Sequence, residues 1–157
     1  MTYPSAQNEM PPSAEKQQLI TRFMRASGLQ GRLDSGSFLE RYAFIPELDW
    51  TRGRTTITFR EATVGPIETL KSVYEKYRSD YQEAYEAHIN WEFTEEELRQ
   101  MVAFLESPVG QHYLDGTWRM EAYTNTNMEE TEEALVNEAV ALFRSQAASS
   151  EPENRND

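Results

Sequence analysis

Apolar residues recur with helical spacing over residues 67–88, and this stripe constrains the fold more than any other feature of the chain. From Ile67 to His88 they follow one another at intervals of three and four positions, which places them on one face of an α-helix. Pro66 directly precedes the stripe, and the first turn of a helix tolerates proline because no hydrogen bond is lost there. The pattern predicts one long helix that starts at Pro66 and ends before a turn at residues 90–93.

A second helix start lies directly after this turn. Thr94 and Glu97 have the spacing of a capping box, in which each side chain accepts a hydrogen bond from the other residue's backbone N–H. Phe93 and Leu98 flank the box as a hydrophobic staple. We expect this helix to reach Glu106, and Ser107-Pro108 to cap and begin the next one.

The remaining pattern is also helical. It predicts helices over residues 13–27, 30–44 and 128–144. An alternative for the last of them is that it continues the helix before it. Residues 47–65 are interpreted as an extended connector or a short irregular helix, because strand-like residues near Ile57 have no second strand to pair with. The predicted fold is therefore all-α, an irregular bundle of about five or six helices.

The predicted organisation is a disordered lead-in over residues 1–12, a single helical domain over 13–146 and a disordered acidic tail over 147–157. The helical faces predict which side chains form the core. They are Phe23, Tyr42, Leu70, Tyr77, Leu98, Val102, Leu105, Leu135 and Leu142.

The charge of the chain restricts its partners. The formal net charge is -12, and the charges are uneven: residues 1–60 have 8 basic and 6 acidic side chains, whereas residues 61–157 have 7 and 21. Nucleic acid is excluded as an expected partner because its phosphates require a basic face. The two halves are expected to attract each other in the fold, and the alternative is that the acidic half meets a basic partner.

No apolar run approaches the roughly 20 residues that span a bilayer. The polar start from Met1 to Pro12 does not have the pattern of a signal peptide, so we expect either a cytoplasmic protein or a mature form without its leader. The absence of cysteine excludes disulfides and thiolate metal sites.

Aromatic side chains form the candidate binding site. A row of four tyrosines lies on the predicted long helix, and two tryptophans could extend it into a groove for a peptide, a glycan or a lipid tail. The residues are Tyr74, Tyr77, Tyr81, Tyr85, Trp91 and Trp118. The interpretation favoured over a groove is that the row belongs to a half-exposed core face.

The signals for catalysis and metal binding are weak. His88 and His112 are the only histidines, and a metal site needs three or more ligands. No nucleophile motif accompanies them. The glutamates near Thr94 and Met128 fit helix-capping charges better than a calcium site. We expect no catalytic residues, no metal and no cofactor.

The segments Phe93-Thr-Glu-Glu-Glu-Leu98, Met101-Val-Ala-Phe-Leu105 and Ser107-Pro-Val-Gly-Gln-His-Tyr113 follow one another in an unusual order. Together they resemble a bacterial domain-of-unknown-function family, number 2059, over roughly residues 77–143. The resemblance implies a helical protein that is exported to the periplasm or secreted. It implies no activity and no catalytic residue.

Three functional hypotheses follow. The leading one is a non-catalytic interaction module that binds a protein or itself, because catalytic motifs are missing and the charge is asymmetric. The second is a carrier of a small apolar ligand that uses the aromatic row. The third and least favoured is a hydrolase.

Overall fold

The computed structural model describes residues 11–149. In this part of the chain every regular element is helical, which confirms the all-α prediction, but the expected number of five or six helices is wrong. The elements are α1 (Ala14–Ala26), α2 (Leu29–Ser35), α3 (Phe59–Tyr74), α4 (Arg78–Glu92), α5 (Glu95–Leu105), α6 (Pro108–Asn127) and α7 (Glu129–Ser149), with 3₁₀ helices at Ser37–Phe44 and Pro46–Leu48. None of the helices described is long and apolar enough to cross a bilayer, as predicted.

The chain separates into two compact units, residues 1–111 and 112–157. The first contains α1 to α5 and the start of α6, and the second contains the rest of α6 and α7. The single helical domain expected over residues 13–146 stays a prediction. Most of the expected lead-in and tail lies outside the described residues, although residues 147–149 belong to α7.

The predicted helix over residues 30–44 is divided at Gly36, which has a left-handed backbone with φ 63°. The ring of Tyr74 packs against this glycine, and a Cβ there would lie 2.6 Å from the ring's Cδ1 atom. A side chain at position 36 would therefore clash with the ring and strain the backbone. The chain leaves α2 and continues as a 3₁₀ helix instead.

The long helix predicted from Pro66 is wrong in two respects. Its start lies earlier, because Thr58 and Glu61 form a capping box that begins α3 at Phe59, and Pro66 is buried inside α3. The same capping box shows that residues 59–65 are helical, so the connector predicted over 47–65 is shorter than expected. The stripe is also broken after Tyr74, where the N–H of Tyr77 donates to the Tyr74 carbonyl at 2.8 Å in a turn before α4.

The core of the first unit lies where α1 packs against α2, α4 and α5. It consists of Leu19, Ile20, Met24, Leu33, Ile89, Leu98 and Val102. The predictions for Leu98 and Val102 are confirmed, and Phe23 packs against the edge of this cluster. Tyr42, Leu70 and Leu105 are half-buried. Tyr77, Leu135 and Leu142 were predicted to lie in the core but are exposed, because the first lies in the turn before α4 and the others lie on α7.

The two predicted helix starts after residue 93 are confirmed. The Thr94 hydroxyl accepts the Glu97 N–H at 3.2 Å, and the Glu97 carboxylate accepts the Thr94 N–H at 2.8 Å. The Ser107 hydroxyl accepts the Gly110 N–H at 3.1 Å and so caps α6, with Pro108 as its first residue. These local bonds set the residues at which α5 and α6 begin.

Candidate interaction surface

The six predicted aromatic residues lie in different surroundings. Tyr74 ends α3 and is buried, whereas Tyr77, Tyr81, Tyr85 and Trp91 are exposed in or next to α4. Trp118 is exposed on α6 in the second unit. A ligand site that uses all six residues stays a prediction.

The structure brings two of these tyrosines together. Tyr74 and Tyr81 have ring centroids 5.5 Å apart, and Phe38 contacts both at 5.5 and 5.2 Å. The Tyr74 hydroxyl donates to the Leu33 carbonyl at 2.7 Å, and burial raises the pKa of this hydroxyl. Phe38 was not part of the predicted row because it is more than 30 residues away along the chain. The three rings fill the space between α3, α4 and the first 3₁₀ helix.

Three surface clefts of the described chain are not lined by the aromatic row. The largest, of about 640 Å³, lies between α1, α2 and α4. Its lining is polar and includes Arg25, Asp34, Arg78 and Gln82. The linings of the other two likewise contain none of the six aromatic residues and neither histidine. The carrier hypothesis stays a prediction.

Neither histidine belongs to a group of described side chains that could hold a metal ion. His88 and His112 are both exposed. Within residues 11–149, no three acidic or histidine side chains are grouped so that they could hold a metal ion. The expectation that the protein is not an enzyme stays a prediction.

The glutamates at the start of α5 have structural roles. Arg99 forms ion pairs with Glu95 at 2.9 Å, with Glu96, and with Glu15 of α1 at 2.7 Å. The pKa of Glu97 is lowered, first by the hydrogen bond from the Thr94 N–H and then by the Thr94 hydroxyl. These carboxylates therefore stabilise the helix start and its contact with α1.

The glutamates of α7 are different. Glu129, Glu132 and Glu133 form no ion pair with another described residue, and the only basic side chain within α7 is Arg144. They lie in the first turns of the helix, where the backbone dipole favours negative charge. Their side chains nevertheless have no countercharge in the described chain.

Five large apolar side chains follow these glutamates on α7 and are all exposed. Their exposed fractions are 62% for Leu135, 54% for Val136, 41% for Val140, 57% for Leu142 and 72% for Phe143. With Ala139 they fall within an arc of about 160° around the helix axis, at about 100° per residue. We call these six residues the α7 apolar face.

The opposite side of α7 is small and polar. It carries Ala134, Asn137, Ala141 and Ser145, which are spaced at three and four positions. Helix α7 is therefore amphipathic, and its apolar side is the side that a soluble chain normally buries. The sequence pattern predicted this stripe through Leu135 and Leu142, but it predicted that the stripe lies in the core.

A comparison with known protein families gives one match, and it includes part of α7. The family described as an uncharacterized protein conserved in bacteria (DUF2059) matches residues 78–138. The match covers less than half of the chain, and we call the matched residues the DUF2059 segment. The resemblance predicted from the sequence is thereby confirmed. No curated protein and no solved structure matches the chain.

The DUF2059 segment covers α4, α5, α6 and the first half of α7. It includes both confirmed helix starts, at Thr94 and at Ser107. It also includes Gly110, where a Cβ would lie 2.7 Å from the carbonyl carbon of Phe104. The Ser-Pro-x-Gly step of the DUF2059 segment thus has a physical cause: a hydroxyl cap, a proline in the first turn, and a glycine pressed against the preceding backbone.

Proposed function

We propose that the protein is a non-catalytic interaction module that binds a protein through the α7 apolar face. The observation that carries the proposal is that five large apolar side chains on one side of one helix are each at least 41% exposed. Contiguous exposed apolar patches mark interaction sites more often than singly exposed residues do. Export to the periplasm or to the medium is part of the proposal and rests on the family resemblance.

A partner that covers this face would gain stability from burial. Fully burying one leucine, valine or phenylalanine side chain is worth about 1.5–3 kcal/mol. A helix laid along the face would use the anchor spacing of three and four positions found in helix-in-groove recognition. Both a second copy of this chain and a different protein would satisfy the proposed function.

Site-specific photo-crosslinking in the producing bacterium tests the proposal. A photoreactive phenylalanine analogue is introduced at Leu135 or Leu142, on the apolar face, and at Asn137 or Ala141 as matched controls on the opposite side. We expect crosslinked products from the first two positions and far fewer from the controls. Equal yields from both sides, or none from either, would contradict the proposal, and the product mass separates a self-adduct from an adduct with another protein.

Fractionation of the same cells tests the localisation. The protein produced from its own gene should appear in the periplasmic fraction or in the medium. Recovery in the cytoplasmic fraction would contradict export and leave the proposed binding face unaffected.

A further inference from the structure

We propose that the partner of the α7 apolar face is a basic amphipathic helix of another protein, with its lysines or arginines beside the first turns of α7. This inference rests on the proposed function and specifies the chemistry of the partner. It follows from the position of the unpaired glutamates of α7 relative to the apolar face.

The glutamates lie on the same side of the helix as the apolar residues. Glu132 precedes Leu135 and Val136 by three and four positions, and Glu129 precedes Val136 by seven. At about 100° per residue, both glutamates fall inside the arc of the apolar face. The face therefore has an acidic end, formed by Glu129 and Glu132 with Glu133 at its edge, and an apolar end that runs to Phe143.

A partner that covers the whole length of this arc buries both its acidic end and its apolar end. The desolvation of a carboxylate is costly unless an opposite charge or hydrogen-bond donors replace the lost water. The described chain offers Glu129 and Glu132 no such group, whereas Glu95 and Glu96 of α5 pair with Arg99. Because residues 11–149 offer these carboxylates no countercharge, a basic partner is the one that this arc favours.

A second copy of the chain supplies too little of it. In a parallel pairing of two α7 helices, the glutamates would face their own equivalents. In an antiparallel pairing they would meet the end of α7, where Arg144 is the only cation among the described residues and would have to serve Glu129, Glu132 and Glu133 together. Each chain also has a formal net charge of -12, which adds to the repulsion.

A peptide titration with the full chain tests the inference. The probe is a fluorescein-labelled helical peptide with leucines along one face and lysines at one end of that face. Its counterpart has glutamates in place of the lysines. Binding is followed by fluorescence anisotropy at low and at moderate salt. We expect the lysine peptide to bind more tightly than its counterpart and to weaken as salt rises.

The variants separate specific recognition from general attraction between opposite charges. Glu129→Gln with Glu132→Gln removes two charges from the arc, and Glu130→Gln with Glu138→Gln removes two from outside the arc on the same helix. The first pair should weaken binding about 2- to 30-fold, the effect of losing two ion pairs at a surface. The second pair should change it much less, and circular dichroism checks that both variants keep their helix content.

Leu142→Ser tests the apolar end, with Ala141→Ser as its control on the opposite side. The first should weaken binding of the lysine peptide and the second should not. If the two charge variants weaken binding equally, the attraction is unspecific and the inference is wrong. Equally tight binding of the glutamate counterpart also overturns it.

Two further results would name another occupant and overturn the inference. One is a dimer in sedimentation velocity that Leu142→Ser dissociates, which identifies a second copy. The other is binding of the chain to phosphatidylcholine vesicles through the same face, which identifies a lipid surface. Crosslinks from Leu135 and Leu142 to a protein that has no basic helix would also refute this inference, but they would leave the proposed function intact. If these two positions give no crosslinks, both the inference and the proposed function are wrong.

Discussion

Alanine at position 110 should destabilise the protein although alanine is the better helix former. Gly110 is buried in the first turn of α6, where the Ser107 hydroxyl accepts its N–H at 3.1 Å. A Cβ at this position would overlap the carbonyl oxygen of Phe104 and would lie 2.7 Å from its carbonyl carbon and 2.9 Å from the Cα of Leu105. All three neighbours are backbone atoms, so none can rotate away.

The size of the effect follows from these distances. Non-bonded carbon atoms are most stable at about 3.5–4.0 Å, so the backbone would have to move by roughly 1 Å. Overpacking of this kind costs about 1–3 kcal/mol. The gain in helix propensity from glycine to alanine is about 1 kcal/mol. Because three backbone atoms clash, we expect the upper part of the cost and a net loss of at least about 2 kcal/mol.

Gly116 provides a matched control in the same helix. A Cβ there would lie 3.4 Å from Cδ2 and 3.5 Å from Nε2 of His112, which are ordinary contacts with a side chain. Gly116→Ala should therefore leave the free energy of unfolding unchanged or raise it by up to about 1 kcal/mol.

Urea denaturation followed by far-ultraviolet circular dichroism measures both changes. The reasoning is refuted if Gly110→Ala is as stable as the parent chain. It is also refuted if Gly116→Ala loses as much stability, because the loss would then come from replacing any glycine of α6 and not from contact with the α5 backbone.

Three further predictions concern the first unit. Leu98→Ala should lower the free energy of unfolding by about 2–5 kcal/mol because Leu98 is fully buried. Leu105→Ala should lower it less because Leu105 is half-buried. If the thermal midpoint of Leu98→Ala equals that of the parent chain, the placement of the core is wrong. Thr94→Ala removes the hydroxyl of a capping box and should cost about 1 kcal/mol in urea denaturation, and Thr94→Ser, which keeps the hydroxyl, should restore most of it. Hydrogen bonds from the Thr58 N–H first, and then from Arg54, lower the pKa of Glu61 from 4.5 to about 2 in the folded state. This carboxylate therefore stabilises the fold above about pH 5, and the stabilisation is lost as the pH falls towards 2. Glu61→Gln should make the thermal midpoint less dependent on pH in that range, and an unchanged pH profile would contradict this assignment.

The sequence predicted the elements that depend on neighbouring residues. The capping box at Thr94 and the Ser107-Pro108 start are built from groups within four residues of each other, so their spacing alone identifies them. The capping box of Thr58 and Glu61 has the same spacing but was missed. The β-branched residues from Thr55 to Thr58 are typical of a strand, and this propensity hid the helix start behind them.

The break between α3 and α4 could not be predicted from spacing. Tyr74, Tyr77 and Tyr81 keep a helical interval through the turn, so the stripe looks continuous. The break accompanies contacts made far along the chain: the Tyr74 ring lies against Gly36 and Phe38, and its hydroxyl bonds to Leu33. Only the tertiary structure shows why the aromatic row has one buried member and exposed ones beside it.

The stripe of α7 shows a different limit. A period of three and four predicts that one side of a helix is shielded from water, but it does not say by what. The sequence analysis assigned Leu135 and Leu142 to the chain's own core, yet both are more than half exposed. An amphipathic helix whose apolar side stays exposed within its own chain has the pattern of a helix that another molecule covers. The glutamates within that arc then distinguish the partner, because an uncharged apolar surface would leave them buried without a countercharge. The apolar stripe of α7 therefore led to a wrong prediction about the core, and the exposure of the same stripe is the main argument for a binding face.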